Sequence, residues 1–185
     1  TIYEKEIGKE ENKENLRKEL DISYDKVFVS SGQLIKRKNY FSLVKEWSKF
    51  PENYGLYLFG DGKEKKRIEK FINENKVKNV VLKGFVNREK MLNFFKACDA
   101  FLFPSNEDIY GHVINEAMSQ GLPVISTNKV NSAVKLIKNK ENGFVLDSLN
   151  GDEFKQSVEY LLTNNLSENC LKTAKENTIE KMVEE

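Results

Sequence analysis

At 185 residues and 39% apolar composition, the chain is long enough for one domain with a sizeable core. Lys and Arg number 30 against 29 Asp and Glu, and a net charge of +1 excludes a global field for nucleic acid or an anionic membrane, leaving any anion site local. No apolar run approaches the roughly 20 residues of a membrane helix, no signal-peptide pattern is visible, and Cys98, Cys170 and His112 lack metal-ligand spacing, so a cytoplasmic protein without a metal site is expected.

Residues 1–25 are dominated by Glu, Lys and Asn, with Leu16, Leu20 and Ile22 as late apolar anchors, and read as a surface helix or interdomain lead-in. Because the sequence opens at Thr1 rather than Met, it is expected to be part of a longer protein. A β-branched and aromatic strand over 27–31 closes at Gly32, and Tyr40, Leu43, Val44 and Trp47 then recur at helical spacing. Residues 56–60 form the next strand, turned by Gly60-Asp61-Gly62 into a charged helix with Ile68, Phe71 and Ile72 on its apolar side. Residues 80–86 are the third strand, and Met91, Leu92, Phe94 and Phe95 mark the helix after it.

The fourth strand, 98–103, ends at Pro104, which cannot donate to a central ladder. Val113, Ile114, Ala117 and Met118 show helical spacing again, Gly121 suits a left-handed cap, and Pro123 prevents continuation. A fifth strand over 122–127, a short helix over 133–137 and a sixth strand over 143–146 follow. Phe154, Val158, Leu161 and Leu162 give an amphipathic helix, and 165–185 a last charged one. Six strands alternating with helices predict an α/β fold, a Rossmann-like doubly wound parallel sheet with helices on both faces, whose ligands bind at the carboxyl ends of the strands.

The polar residues collect at those ends. A helix starting at Gly111 just beyond a parallel strand points its N–H groups and positive dipole end into the crevice, which makes an anion site. Asp108 and Glu116 flank it, and carboxylates beside a phosphate are suited to accept hydrogen bonds from sugar hydroxyls. Lys36, Arg37 and Lys38 lie in the loop after the first strand, where a diphosphate could be neutralised. The Gly60-Asp61-Gly62 turn is followed by Lys65 where a dinucleotide fingerprint needs a third glycine, which counts against a nicotinamide enzyme.

The run from Asp108 through Glu116 and Ala117-Met118-Ser119-Gln120-Gly121-Leu122-Pro123-Val124 resembles the signature of family 4 retaining glycosyltransferases of GT-B fold, within the glycosyltransferases group 1, in which two acids are separated by seven residues. The first acid is usually Glu; here it is Asp108. Gly32 to Asn39 resembles that family's Gly-Arg-Leu-x-x-x-Lys-Gly block, with Lys38 on the lysine, Gln33 on the arginine, and Arg37 as the nearest guanidinium. Gly60 and Gly62 resemble its Gly-x-Gly turn, and Gly84, Phe85 and Val86 the Gly-x-Val whose backbone reads the nucleobase. Asn131-Ser132 stands over a glycine pair and Lys135 over a glutamate that usually line the sugar pocket.

The resemblance implies that residues 26–185 are the donor-binding domain of a two-domain enzyme whose amino-terminal acceptor domain lies outside this sequence. The implied substrate is a UDP-, GDP- or ADP-sugar, with no cofactor, no metal and no nucleic acid. The implied acceptor is a glycan or glycolipid hydroxyl in bacterial surface assembly, with peripheral contact at the inner face of the membrane. Glu116 would hold the ribose, Asp108 would orient the donor sugar, and Lys38 with the N–H groups of His112, Val113 and Ile114 beyond Gly111 would stabilise the leaving diphosphate. This chain alone would transfer nothing. Two alternatives stay open, a nucleotide-sugar epimerase of the same fold and a non-catalytic nucleotide-binding or regulatory domain.

Overall fold

The computed structural model describes residues 13–109 and 111–177. Helix α1 (Lys13–Glu19) leads into β1 (Lys26–Ser31), after which a single 3-10 turn (Lys36–Lys38) precedes α2 (Tyr40–Trp47). Then come β2 (Tyr54–Phe59), α3 (Lys65–Glu74), β3 (Val80–Gly84), α4 (Arg88–Lys96), β4 (Ala100–Phe103) and α5 (His112–Ser119). The chain continues through β5 (Val124–Thr127), α6 (Asn131–Leu136), β6 (Gly143–Leu146), α7 (Gly151–Thr163) and α8 (Ser167–Glu176). The expected last helix is thus seen as far as Glu176, and 178–185 lie outside the described residues, as do 1–12.

All neighbouring strands are parallel, in the order β3-β2-β1-β4-β5-β6. The order reverses at β1, so the loops after β1 and β4 diverge to opposite faces and open a crevice between them. Strands β1, β2, β4 and β5 are buried on both faces, which explains apolar runs such as Phe101-Leu102-Phe103 in place of alternation. Trp47 of α2 packs on Phe28, Phe50 and Phe154, and Phe41 on Phe71, gathering α2, α3 and α7 on one face. On the other face, α4 sets Phe94 against Tyr57 and Phe59 and Phe95 against Phe101, with α5 packed on α6 and α8. Each of the fully buried rings among these, Phe28, Trp47, Phe95, Phe101 and Phe154, contributes about 1.5–3 kcal/mol of transfer free energy.

Several boundaries differ from the sequence reading: the second strand runs over Tyr54–Phe59 and not 56–60, the short helix over Asn131–Leu136 and not 133–137, and three strand ends shift for visible reasons. The third strand ends at Gly84 and not at residue 86, because the β2–β3 register shifts at Leu58/Phe59 and Gly84 turns the chain at φ +68. Phe85 is thereby thrown out of the sheet and is 85% exposed. The fourth strand begins at Ala100, since Asp99 places its side chain on the Val27 N–H at 2.7 Å. The fifth begins at Val124, because the turn that closes α5 runs through Gly121 and Leu122, whose N–H groups bond Met118 and Ala117 carbonyls at 2.9 and 3.1 Å.

Candidate active site

The floor of the crevice is backbone. Gly32 N–H donates to the Phe59 carbonyl at 3.0 Å, and Gly60 N–H to the Gly84 carbonyl at 2.8 Å, so the glycines ending β1, β2 and β3 are bonded side by side. A β-carbon on Gly60 would collide with the Gly32 carbonyl, and its φ of +133 is a conformation that side chains disfavour. The residue must be glycine for the two loops to approach this closely. Beneath Gly32 lies the hydroxyl of Tyr40, kept protonated because burial, and to a lesser extent nearby Asp108, pushes it up. Leu34 N–H to the Asp61 carbonyl at 2.9 Å and Glu64 N–H to the Leu34 carbonyl at 2.8 Å stitch the loops further.

On this floor stands an open cleft of about 560 Å³. Gly32 and Gln33 line it from the β1 loop, Gly60 and Asp61 from the β2 turn, Phe85 and Val86 from the end of β3, Arg88 and Met91 from α4, and Glu116 from α5. The cleft thus joins six of the residues singled out in the sequence. Glu116 is one turn into α5 and accepts from Arg88 Nε at 2.5 Å. That geometry matches a carboxylate held across the mouth of the site by a charge-assisted bond.

The other acid pairs elsewhere. Lys38 closes the 3-10 turn, is buried, and places its ammonium on Asp108 and 4.8 Å from the centre of the Phe103 ring. Backbone fixes Asp108 on its other side: its N–H reaches the Lys129 carbonyl at 3.3 Å, and its carbonyl accepts from Asn131 N–H at 3.1 Å. Arg37 turns away, its Nη1 donating to the Glu107 carbonyl at 3.1 Å. The expected three-cation loop is therefore split, with Lys38 inward on Asp108, Arg37 on the 104–109 loop, and Lys36 exposed.

Helix α5 starts at His112 as expected, with Gly111 as its N-cap residue. Its first turn is not uniform. His112 is exposed, Val113 is half-buried, and Ile114 is fully buried with its N–H on the Gly111 carbonyl at 2.9 Å. Ser132 donates to the Gly111 carbonyl at 3.2 Å, and a β-carbon on Gly111 would lie 2.6 Å from Ser132 Oγ. Gly62, by contrast, packs on the Leu34 backbone beside the cleft without lining it.

Arg88 is the residue that sequence reasoning missed. Asn87 caps α4 by accepting from Lys90 N–H at 2.9 Å, which puts Arg88 in the first helical turn at the rim. An Asn cap three residues after Gly84, followed at once by Arg, was the available signal. Among the described residues, no group of three or more potential ligands could hold a metal, and no helix is long and apolar enough to cross a membrane.

With this geometry in view, the comparisons with known proteins are specific. The family model described as "Glycosyl transferases group 1" matches residues 12–178. The lipopolysaccharide core biosynthesis glycosyltransferase LpsE of Rhizobium meliloti is 29% identical over 151 residues, covering 80% of this chain and 43% of that protein. The processive diacylglycerol alpha-glucosyltransferase of Acholeplasma laidlawii is 28% identical over 95% of this chain and 54% of its own. The chain thus spans about half the length of the curated relatives it matches.

Among solved structures, the C-terminal domain of a glycosyl transferase group 1 family protein from Francisella tularensis superposes with TM-score 0.80 at 16% identity, over 92% of this chain and 95% of that one. HepE of Anabaena, crystallised with UDP, gives TM-score 0.76 at 22% identity, over 91% of this chain and 49% of that one. These likenesses establish the fold, and the match along nearly the whole sequence establishes the kinship: the chain belongs to the glycosyl transferases group 1 family.

Proposed function

We propose that this chain is the donor-binding half of a family 4 retaining glycosyltransferase, taking a nucleotide diphosphate sugar and delivering its sugar to the hydroxyl of a glycan or glycolipid. The observation that carries the reading is the cleft at the carboxyl ends of β1, β2 and β3, where a side-chain-free glycine floor meets Glu116. Bare backbone admits a flat base and a diphosphate closely, and a carboxylate at the rim accepts from two ribose hydroxyls. The relatives' roles in lipopolysaccharide and glycolipid synthesis support the acceptor class, and the Anabaena complex supports a nucleotide diphosphate. A cytoplasmic enzyme working at the inner face of the membrane fits such acceptors.

In transfer, negative charge grows on the departing diphosphate, so groups that meet it only then lower the barrier. The first N–H groups of α5 and the Lys38 ammonium fill that role, and Asp108, which holds Lys38, is placed to orient the donor sugar. No metal enters this scheme. The acceptor would be positioned by a second domain, and loss of that positioning removes most of the ~7–11 kcal/mol that proximity supplies. The chain alone should therefore bind UDP, GDP or ADP yet transfer no sugar, while the same chain joined to an acceptor domain should transfer with retained configuration. Sugar transfer by the 185 residues alone, or isomerisation of a donor without acceptor, would overturn the proposal.

A further inference from the structure

The lining of the cleft falls into two kinds. Phe85 and Val86 from the end of β3 and Met91 from α4 are apolar, whereas the β1 and β2 loops contribute Gly32, Gln33, Gly60 and Asp61, which present backbone and polar groups. Val86 and Met91 are half-buried, but Phe85 is 85% exposed, the most of the three large apolar side chains that stand exposed among the described residues. The backbone puts it there. Gly84 takes φ +68, a left-handed conformation, so the chain leaves the ladder and the next ring stands bare beside the cleft instead of entering the core. One apolar side chain on a surface is ordinary, but a bare ring on the wall of a ligand cleft is a platform for another flat ring.

A nucleotide held by Glu116 brings such a ring within reach. The base and the diphosphate leave the ribose from carbons on either side of its ring oxygen, so with the hydroxyls on Glu116 the two take different directions. The diphosphate needs N–H groups and cations, while the base, flat and uncharged, suits the apolar wall. Phe85 lies three residues before Arg88, a span of at most about 11 Å, and Arg88 Nε meets Glu116 at 2.5 Å. Resting on the donor-site reading above, we propose that the Phe85 side chain stacks on the nucleobase and covers it, adding a grip on the base separate from the backbone that ends β3. Stacking tolerates every base, because each has a π-face, so Phe85 adds affinity and leaves the choice among bases to hydrogen bonds elsewhere.

The test is calorimetry on the full chain, first with UDP, GDP and ADP, then with the best-bound of them and ribose 5-diphosphate, the same ligand without its base. Phe85→Ala should weaken the nucleoside diphosphate about five- to hundredfold and ribose 5-diphosphate by no more than about twofold. Phe85→Tyr keeps the ring and should keep the affinity, while Phe85→Leu, apolar but not flat, should lose most of what Phe85→Ala loses. In Phe85→Trp, where the only other indole is the buried Trp47, the nucleoside diphosphate should quench the added emission and ribose 5-diphosphate should not. Thermal unfolding should stay unmoved throughout, because the ring is almost bare in the free chain. Unchanged affinity in Phe85→Ala would leave the ring to a second protein domain. Equal weakening of both ligands would assign it to the shape of the loop, and full affinity in Phe85→Leu to plain apolar cover. Each of these overturns the inference and leaves the donor-site reading standing. Failure of the unmodified chain to bind any of the three diphosphates contradicts the donor-site reading itself, and the inference with it.

Discussion

Asp99 and Glu116 are both ion-paired carboxylates, one at each end of the same sheet, yet they are built for different work. Asp99 accepts from Lys13 Nζ at 2.6 Å, Arg17 Nη2 at 2.7 Å and Val27 N–H at 2.7 Å, and Arg17 Nε is anchored on the Ala97 carbonyl at 2.8 Å. Burial alone would push the Asp99 carboxyl up, but Lys13, Arg17 and the Val27 N–H outweigh it and hold the carboxyl below the usual range. Its acceptor capacity is consumed within the chain. Glu116 instead shares its mouth of the sheet with a half-exposed Arg88 and borders an open cleft. A cleft of about 410 Å³ exists at the Asp99 end too, but there Lys13 and Arg17 are already paired with Asp99. The contrast teaches that an acid with three internal donors ties down a helix, whereas an acid paired with a half-exposed arginine at the strand ends borders a cleft open to a ligand.

The first way to break the contrast is at Asp99. Asp99→Ala leaves Lys13 and Arg17 partly buried without their acid and should cost about 3–5 kcal/mol in urea unfolding, with nucleotide affinity of the folded fraction unchanged. The same carboxylate gives the protein an acid limit. Because its folded pKa lies below the unfolded value, the stability it supplies is fully present above the unfolded pKa and is lost as pH falls through the folded one. Unfolding free energy should therefore drop below about pH 4, and Asp99→Asn should flatten that drop.

Gly60 tests the floor between the two ends. Gly60→Ala forces a side chain against the Gly32 carbonyl at positive φ, and should cost about 1–3 kcal/mol of stability together with the nucleotide site. Glu116→Ala should show the opposite balance. Diphosphate binding should weaken by about 1.5–3 kcal/mol, and thermal stability should move by no more than about 0.5 kcal/mol. The smallest effect is expected at Gln33, which is exposed at the mouth. Gln33→Arg should tighten a nucleoside diphosphate by about 0.2–1 kcal/mol and leave the bare nucleoside unmoved, as titration of both ligands will show.

Much of this was legible in the chain. Six apolar runs broken by helical periods led to a doubly wound sheet because buried parallel strands need continuous apolar sequence, and the strand ends at Gly32 and Gly60 marked two parts of the floor. The destination of each charge was not legible. Lys36, Arg37 and Lys38 look alike as three cations in a row, but a 3-10 turn sends each side chain in a different direction, and only Lys38 is buried. Arg88 was invisible for the reverse reason. It falls on no motif position of the resemblance, and its meeting with Glu116, 28 residues away, is made by α4 and α5 packing side by side. The end of β3 was misjudged because the sequence 84–86 stays apolar after the backbone has left the ladder.

The central claim, that Glu116 holds the ribose of a nucleotide lying on the glycine floor, is tested most directly by removing both partners in turn. Calorimetry would compare the best-bound nucleoside diphosphate with its 2′,3′-dideoxy form on the unmodified chain and on Glu116→Ala. The account predicts that the dideoxy ligand binds the unmodified chain more weakly by about 1.5–3 kcal/mol and that the two ligands become nearly equal on Glu116→Ala. Losses that simply add, with the hydroxyls still contributing fully when Glu116 is gone, would contradict it.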